Sequence, residues 1–294
     1  MVILGACGQS GATFDSAQHA DEVMQWREYR LGLLLEPFGY LNQTGLFWLK
    51  AGQYSFGSDA SNDVVFPGQG AGQIGVFTVD DDGVSMSIAP SVDVRHGQEK
   101  VTTLRMAADT SEHPVVVTHD TLAWVVVERE GRYAIRLRDF ELPFVKTFGP
   151  LTYFDIDPEF RVEAVLRRYP EPIIARSDTV IEGLEYRPES PGVVAFELGG
   201  KELQLEAFTV GDRLFFVFGD QTNRDETYGA GRFLYSKSPG KDGRTILDFN
   251  KAYSPPCAFN DFSTCPIASS RNTLSVRVEA GELYDPALHF SAEH

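Results

Sequence analysis

The spacing of the apolar residues changes once along the chain, and that change limits the fold more than any other feature. Residues 16–34 repeat at the helical period, with Ala17, Ala20, Val23, Met24, Arg27 and Leu31 near one face. Asp15 or Ser16 is placed to cap this helix, and Glu36-Pro37 ends it. From Leu46 onward the period is two. Short alternating runs fall at 54–57, 63–66, 76–79, 84–88, 101–106, 115–118, 123–128 and 133–137. Asp82-Gly83, His96-Gly97 and Glu130-Gly131 stand between runs and supply the positive φ that tight hairpins need. The pattern predicts an antiparallel sandwich or barrel.

A break at Phe148-Gly149-Pro150 separates a second strand series, which begins at 160–169, where Phe160, Val162, Ala164 and Leu166 alternate with polar positions. Runs at 193–198, 203–208 and 214–218, joined by Gly199-Gly200 and Gly211-Asp212, predict a meander. Further strands are expected at 179–186, 232–235, 245–249 and 274–279, with loops at 188–192 and 236–243. With 294 residues and 43% hydrophobic side chains, each half has material for its own core. The expected class is mainly β. It divides into a lipoprotein-like or disordered segment (1–14), a helix and linker (15–44), a β-sandwich (45–148) and a second antiparallel barrel or sandwich (149–294).

Charge and motif content exclude several functions. The 26 basic and 42 acidic side chains give a net charge of −16, which repels phosphate backbones and argues against nucleic-acid binding. No apolar stretch reaches the ~18 residues of a membrane-spanning helix. Leu4-Gly5-Ala6-Cys7 looks like a lipobox, which makes Cys7 a candidate lipid anchor and the cell envelope or periplasm the expected location. The alternative is a chance Ala-Cys pair in a cytoplasmic protein. Setting Cys7 aside leaves Cys257 and Cys265, close enough in sequence for a disulfide in an oxidising compartment, or two reduced buried thiols. Gly70-x-Gly72-x-x-Gly75 runs into a strand rather than a helix, so it reads as a turn, and no cofactor is expected. Asp80-Asp81-Asp82-Gly83 has the wrong spacing for a calcium loop. The six histidines are scattered, and no metal site is expected.

Two segments carry resemblances. Gly57-Ser58-Asp59-Ala60-Ser61-Asn62-Asp63-Val64-Val65-Phe66-Pro67, followed by Ile74-Gly75-Val76-Phe77, resembles the opening strands of a forkhead-associated (FHA) sandwich. The phosphothreonine-binding arginine of that family is replaced by Ser58, so the resemblance implies the fold more than the phosphopeptide site. In the second half, Thr227-Tyr228-Gly229-Ala230-Gly231-Arg232 and Asp248-Phe249-Asn250-Lys251-Ala252-Tyr253-Ser254-Pro255-Pro256-Cys257 resemble the family of unknown function DUF1684. Gly219-Asp220, Cys265-Pro266, Asn272-Thr273-Leu274 and Ala280-Gly281-Glu282 extend that resemblance, while Ile267-Ala268-Ser269 departs from it. The resemblance implies no known activity.

These motif residues are the candidate site. Gly219-Asp220 delivers a carboxylate to a sheet edge, Gly229-x-Gly231 allows a close backbone approach, and Arg232 can fork onto a carboxylate. Asp248 and Asn250 share a strand face by period two. The leading expectation is a small polar ligand or protein partner bound by Asp220, Thr227, Tyr228, Arg232, Asp248, Asn250 and Tyr253. The alternative is a hydrolase-like enzyme using Asp220, Asp248 or Glu282 as acid or base, with Cys257 a weaker nucleophile candidate. The same residues would serve equally as a buried clamp that closes a loop without any chemistry.

Overall fold

A computed structural model describes residues 14–68 and 70–291. Cys7 lies outside the described residues.

The first module consists of β1 (Gln43–Leu49), β2 (Gly52–Gly57), β3 (Val64–Val65), β4 (Gly75–Asp80), β5 (Gly83–Ile88), β6 (Val94–His96), β7 (Glu99–Val101), β8 (Thr103–Met106), β9 (Val116–His119), β10 (Leu122–Arg129) and β11 (Arg132–Asp139). They form two sheets, ordered β1-β11-β10-β9-β6-β7 and β3-β2-β4-β5-β8. Each of the three dipeptide turns closes a hairpin; at Glu130-Gly131 both residues have positive φ, 52° and 73°, as a two-residue connection between twisted strands requires. Phe56, Phe66, Phe77, Trp124 and Ile135 fill the space between the sheets, with Phe56 and Phe77 stacked at 3.9 Å. The run expected at 101–106 is interrupted: β7 and β8 belong to different sheets.

After the short helix α2 (Pro143–Thr147), the second module is built from β12 (Arg161–Ile174), β13 (Ser177–Asp178), β14 (Glu185–Tyr186), β15 (Glu189–Leu198), β16 (Lys201–Val210), β17 (Arg213–Phe218), β18 (Arg232–Lys237) and β19 (Arg244–Asp248). Six of these form an antiparallel sheet in the order β18-β17-β16-β15-β12-β19. Its end strands come together, with the Thr245 hydroxyl donating to the Lys237 carbonyl at 2.8 Å, so the sheet is a nearly closed barrel. Phe216, Phe218, Leu234, Leu247 and Phe249 occupy its core.

Three expectations are corrected. Residues 179–186 are not one strand: β13 and β14 pair with each other across the connecting loop. Residues 188–192, read as a loop from Pro and Gly content, start β15, where a register shift against β12 takes up the irregularity. Residues 274–279 form no regular strand: Leu274 and Val276 exchange backbone bonds with Gly219 and Gln221, but at Val278 the partners are the Asp220 and Arg232 side chains.

The helix α1 (Ser16–Leu35) is capped as expected, Asp15 accepting from the backbone of Ala17 and Gln18. Its buried face overlaps the expected one in part, sharing Val23, with Ala20, Arg27 and Leu31 half-buried. His19, Val23, Arg30 and Leu34 are buried, while Ala17 and Met24 are exposed. The helix meets the second module through ion pairs and cation–ring contacts of His19, Arg27 and Arg30 as well as through Leu34 against Ala258 and Phe259, so a hydropathy period finds only part of that face.

Candidate functional site

Asp220 and Arg232 meet because Phe218, at the end of β17, pairs with Arg232, at the start of β18. Both side chains are fully buried, with a nitrogen–oxygen distance of 2.8 Å. Arg232 also donates to the carbonyls of Ala280 (2.5 Å) and Val278 (2.9 Å) and lies over the Phe218 ring. The other Asp220 oxygen accepts from the Thr222 amide and hydroxyl and from the Val278 amide. One ion pair therefore fastens residues 278–280 to the β17–β18 connection. Gly231 makes this possible: its φ is +103°, and a Cβ there would stand 2.6 Å from the Phe218 carbonyl. Burial pushes the Arg232 guanidinium below its ordinary value, and Asp220 opposes that shift.

The other motif residues are fixed in neighbouring contacts. The Thr227 hydroxyl is 2.9 Å from that of Thr222 and accepts from Asn223; the Tyr228 hydroxyl donates to the Cys257 carbonyl. Cys257 and Cys265 are joined in a disulfide. Asn250 lies on a 3₁₀ turn rather than on the β19 face, yet still reaches Asp248 at 3.1 Å and grips the Asp157 backbone through both its amide atoms.

Asp248 and Glu282 do not share Arg232. Asp248 faces His19 at 2.9 Å and Lys251 at 3.4 Å. Glu282 accepts from Arg30 at 3.3 Å and from the Ser254 amide at 3.1 Å. Burial raises the Glu282 carboxyl above its ordinary range, against the pull of Arg30. Two of the three candidate carboxylates are thus paired with residues of α1, which the motif-based reading did not include. Arg30 further donates to the Ser254 carbonyl and stacks on Tyr253 at 4.6 Å.

Of the expected ligand-binding residues, Tyr253 alone borders a cleft of about 740 Å³ between α1 and the two modules. Alternation along β11 builds one wall: Ile135 and Leu137 point into the sandwich, leaving Arg136 and Arg138 on the outward face beside Arg129 of β10. The facing wall carries Phe215, Phe233 and Tyr235 from β17 and β18. In a chain of net charge −16, the lining holds five arginines (Arg30, Arg129, Arg136, Arg138 and Arg213) against two carboxylates, Glu36 and Asp109.

Asp109 is taken by Arg129 in a two-pronged contact at 2.8 and 2.9 Å, and Arg30 is taken by Glu282. Among the described residues, Arg136, Arg138 and Arg213 have no carboxylate partner. Arg136 is buried, and only its Nε is engaged, with the Phe262 carbonyl at 3.3 Å. Desolvation, aided by Arg129, lowers its guanidinium to about 10, still cationic at neutral pH. Arg138 donates to Gly39 and Asn42, and Arg213 lies over the Tyr235 ring at 4.2 Å. The sequence did carry a signal for this wall: Arg129, Arg132, Arg136 and Arg138 cluster on one predicted hairpin of an acidic chain.

The family model for proteins of unknown function DUF1684 matches residues 146–283, which hold both carboxylate-bearing motifs and Glu282. A solution NMR structure of an uncharacterized protein from Haloarcula marismortui is 32% identical over 47% of this chain and 78% of that one, with a TM-score of 0.40. No curated protein matches the chain. Over residues 146–283, just under half of its length, the chain is similar to the DUF1684 family.

Proposed function

We propose that the protein is a non-catalytic binding protein of the cell envelope, and that its ligand is a small anion held by Arg136 and Arg138 in the cleft between the modules. The observation that carries this reading is Arg136, a buried guanidinium with no carboxylate partner among the described residues and a single backbone acceptor. A buried cation is costly unless an opposite charge reaches it, and an anion in the cleft supplies that charge. The motif residues then act indirectly, by holding α1 and the 278–282 segment in place as parts of the scaffold. The hydrolase alternative requires a displaced carboxylate open to a cleft. Asp220, Asp248 and Glu282 are instead enclosed in mutual contacts outside the cleft lining.

The envelope location is supported by the Cys257–Cys265 disulfide, which suits an oxidising compartment, and by the lipobox-like Cys7. Loss of palmitate labelling in a Cys7→Ala variant would agree with it; purely cytoplasmic fractionation would count against it. The FHA likeness of the first module is retained as a scaffold only. Its loop hydroxyls are occupied, Ser58 donating to Gly70 and Ser61 to Asp59, and the arginines face the cleft instead.

The binding test is calorimetric titration of inorganic phosphate, sulfate and acetate into wild type and Arg136→Met. This substitution keeps the apolar stem and removes a buried charge that has no ion-pair partner among the described residues, so the fold is expected to persist. The expected result is saturable binding of at least one anion by the wild type, weakened about ten-fold or more in the variant. Equal binding by both proteins, or none by the wild type, overturns the proposal.

A further inference from the structure

The cleft does not end at its arginines. Tyr29, Leu33, Phe38 and Tyr40, on α1 and the turn that follows it, line its mouth and are among the exposed large apolar side chains of the described chain; Tyr29 is 64% and Phe38 56% exposed. Beyond Phe38 and Glu36, which border both spaces, a second hollow of about 440 Å³ continues along Leu34, Leu35, Leu41, Phe140 and Val145. This hollow has an apolar lining, with Phe38 set edge-on to Phe140 at 5.4 Å. A cationic chamber therefore lies beside an apolar trough, with Glu36 and Phe38 on their common border. Exposed apolar side chains gathered along one groove mark a surface that gains by being covered, and the border at Glu36 and Phe38 sets that surface next to the arginine-lined cleft.

We infer that the ligand is an anionic amphiphile, with one charged head on Arg136 and Arg138 and an apolar tail lying past Phe38 into the trough. The inference rests on the preceding reading of the cleft as an anion site and adds the chemical class of the ligand. Head and tail are recognised by different parts of the chain: the head by outward-facing residues of β11, the tail by the end of α1, its following turn and α2. Neither a bare inorganic anion nor a neutral alcohol uses both. The closest simple mimic is an alkyl monophosphate, whose chain replaces water along the trough while its phosphate meets the guanidiniums.

The test compares octyl phosphate, inorganic phosphate and 1-octanol by calorimetry on the intact protein, below the micellar concentration of the amphiphile. Octyl phosphate is expected to bind at least about ten-fold more tightly than either of the others, since the chain adds apolar burial and the head adds charge pairing. Leu35→Ser and Phe38→Ser change exposed side chains and leave the cores untouched. Each should reduce the preference for octyl phosphate over inorganic phosphate several-fold. If inorganic phosphate binds as tightly as octyl phosphate, or both variants keep the full preference, the amphiphile inference is overturned and the anion site stands. If 1-octanol binds as tightly as octyl phosphate, the head assignment falls; if octyl phosphate does not bind, the amphiphile inference falls, and the anion reading falls with it only when phosphate, sulfate and acetate all fail to bind.

Discussion

Replacing Arg232 by methionine separates a scaffold clamp from a ligand-contacting arginine. The substitution removes three donations, to Asp220, Val278 and Ala280, and leaves the Asp220 carboxylate buried without its cation. Removing one partner of a buried pair costs about 3–5 kcal/mol, mostly through the charge left behind. Asp220 keeps three neutral donors, the Thr222 amide and hydroxyl and the Val278 amide, so the lower end of that range, about 3 kcal/mol, is expected. For a module of this size each kcal/mol moves the midpoint by about 2–4 °C, which gives a fall of roughly 6–12 °C. Urea and thermal unfolding followed by circular dichroism measure it, with Asp220→Asn and the double variant completing a cycle. The double variant should cost less than the two single changes added together by about 1 kcal/mol or more, because neutralising Asp220 removes the stranded charge. A stability loss below about 1 kcal/mol for Arg232→Met, or strict additivity in the cycle, would refute the clamp. Loss of anion binding in a variant that keeps wild-type stability would return Arg232 to a direct ligand role.

Reducing the Cys257–Cys265 bond releases a short loop and should destabilise the second module by about 2.5 kcal/mol, read as a lower urea midpoint with reductant or in the double serine variant; an unchanged midpoint would oppose it. Because burial raises Glu282, the folded state holds that proton above the ordinary carboxylate range, and the stability it contributes, complete at lower pH, is lost as pH rises through the raised value. Glu282→Gln should therefore decline less than wild type over that interval, and a wild type that instead gains stability relative to the variant would reverse the sign. Gly231→Ala forces a Cβ against the Phe218 carbonyl at a φ of +103° and should cost more than about 1 kcal/mol; tolerance without loss would show that the close approach is not needed.

The hairpins were legible because their signals are local. Glycine-bearing turns, period-two apolar runs and the Gly231 approach all follow from a few adjacent residues. Residues 274–279 were misread as a strand because alternation describes side chains. Here the backbone partners are also side chains: Arg232 takes the 278 and 280 carbonyls and Asp220 takes the 278 amide. The pairing of Arg232 with Asp220 was within reach, since twelve residues and two strand ends join them. The partners of Asp248 and Glu282 were not, because His19 and Arg30 lie 229 and 252 residues away on a helix whose buried face mixes those two with Val23 and Leu34. A hydropathy period looks for an apolar stripe and so passes over the charged residues that share the buried face.

Arg30 joins the two halves of the functional reading. Its Nε meets Glu282 inside the matched family region, its guanidinium lies on the Tyr253 ring, and the same side chain borders the cleft. Asp248 and Glu282 thus hold the helix that forms one cleft wall, although neither enters the cleft. The cations left without carboxylates divide differently: Arg136 and Arg138 come from the first module, outside residues 146–283, and Arg213 from within them. A protein consisting of the matched region alone could keep the Asp220–Arg232 clamp and the aromatic wall, but it would lack the arginine wall facing them. On the proposed reading, the family motifs build the platform, and the arginines of the preceding sandwich set the charge of the ligand it would take.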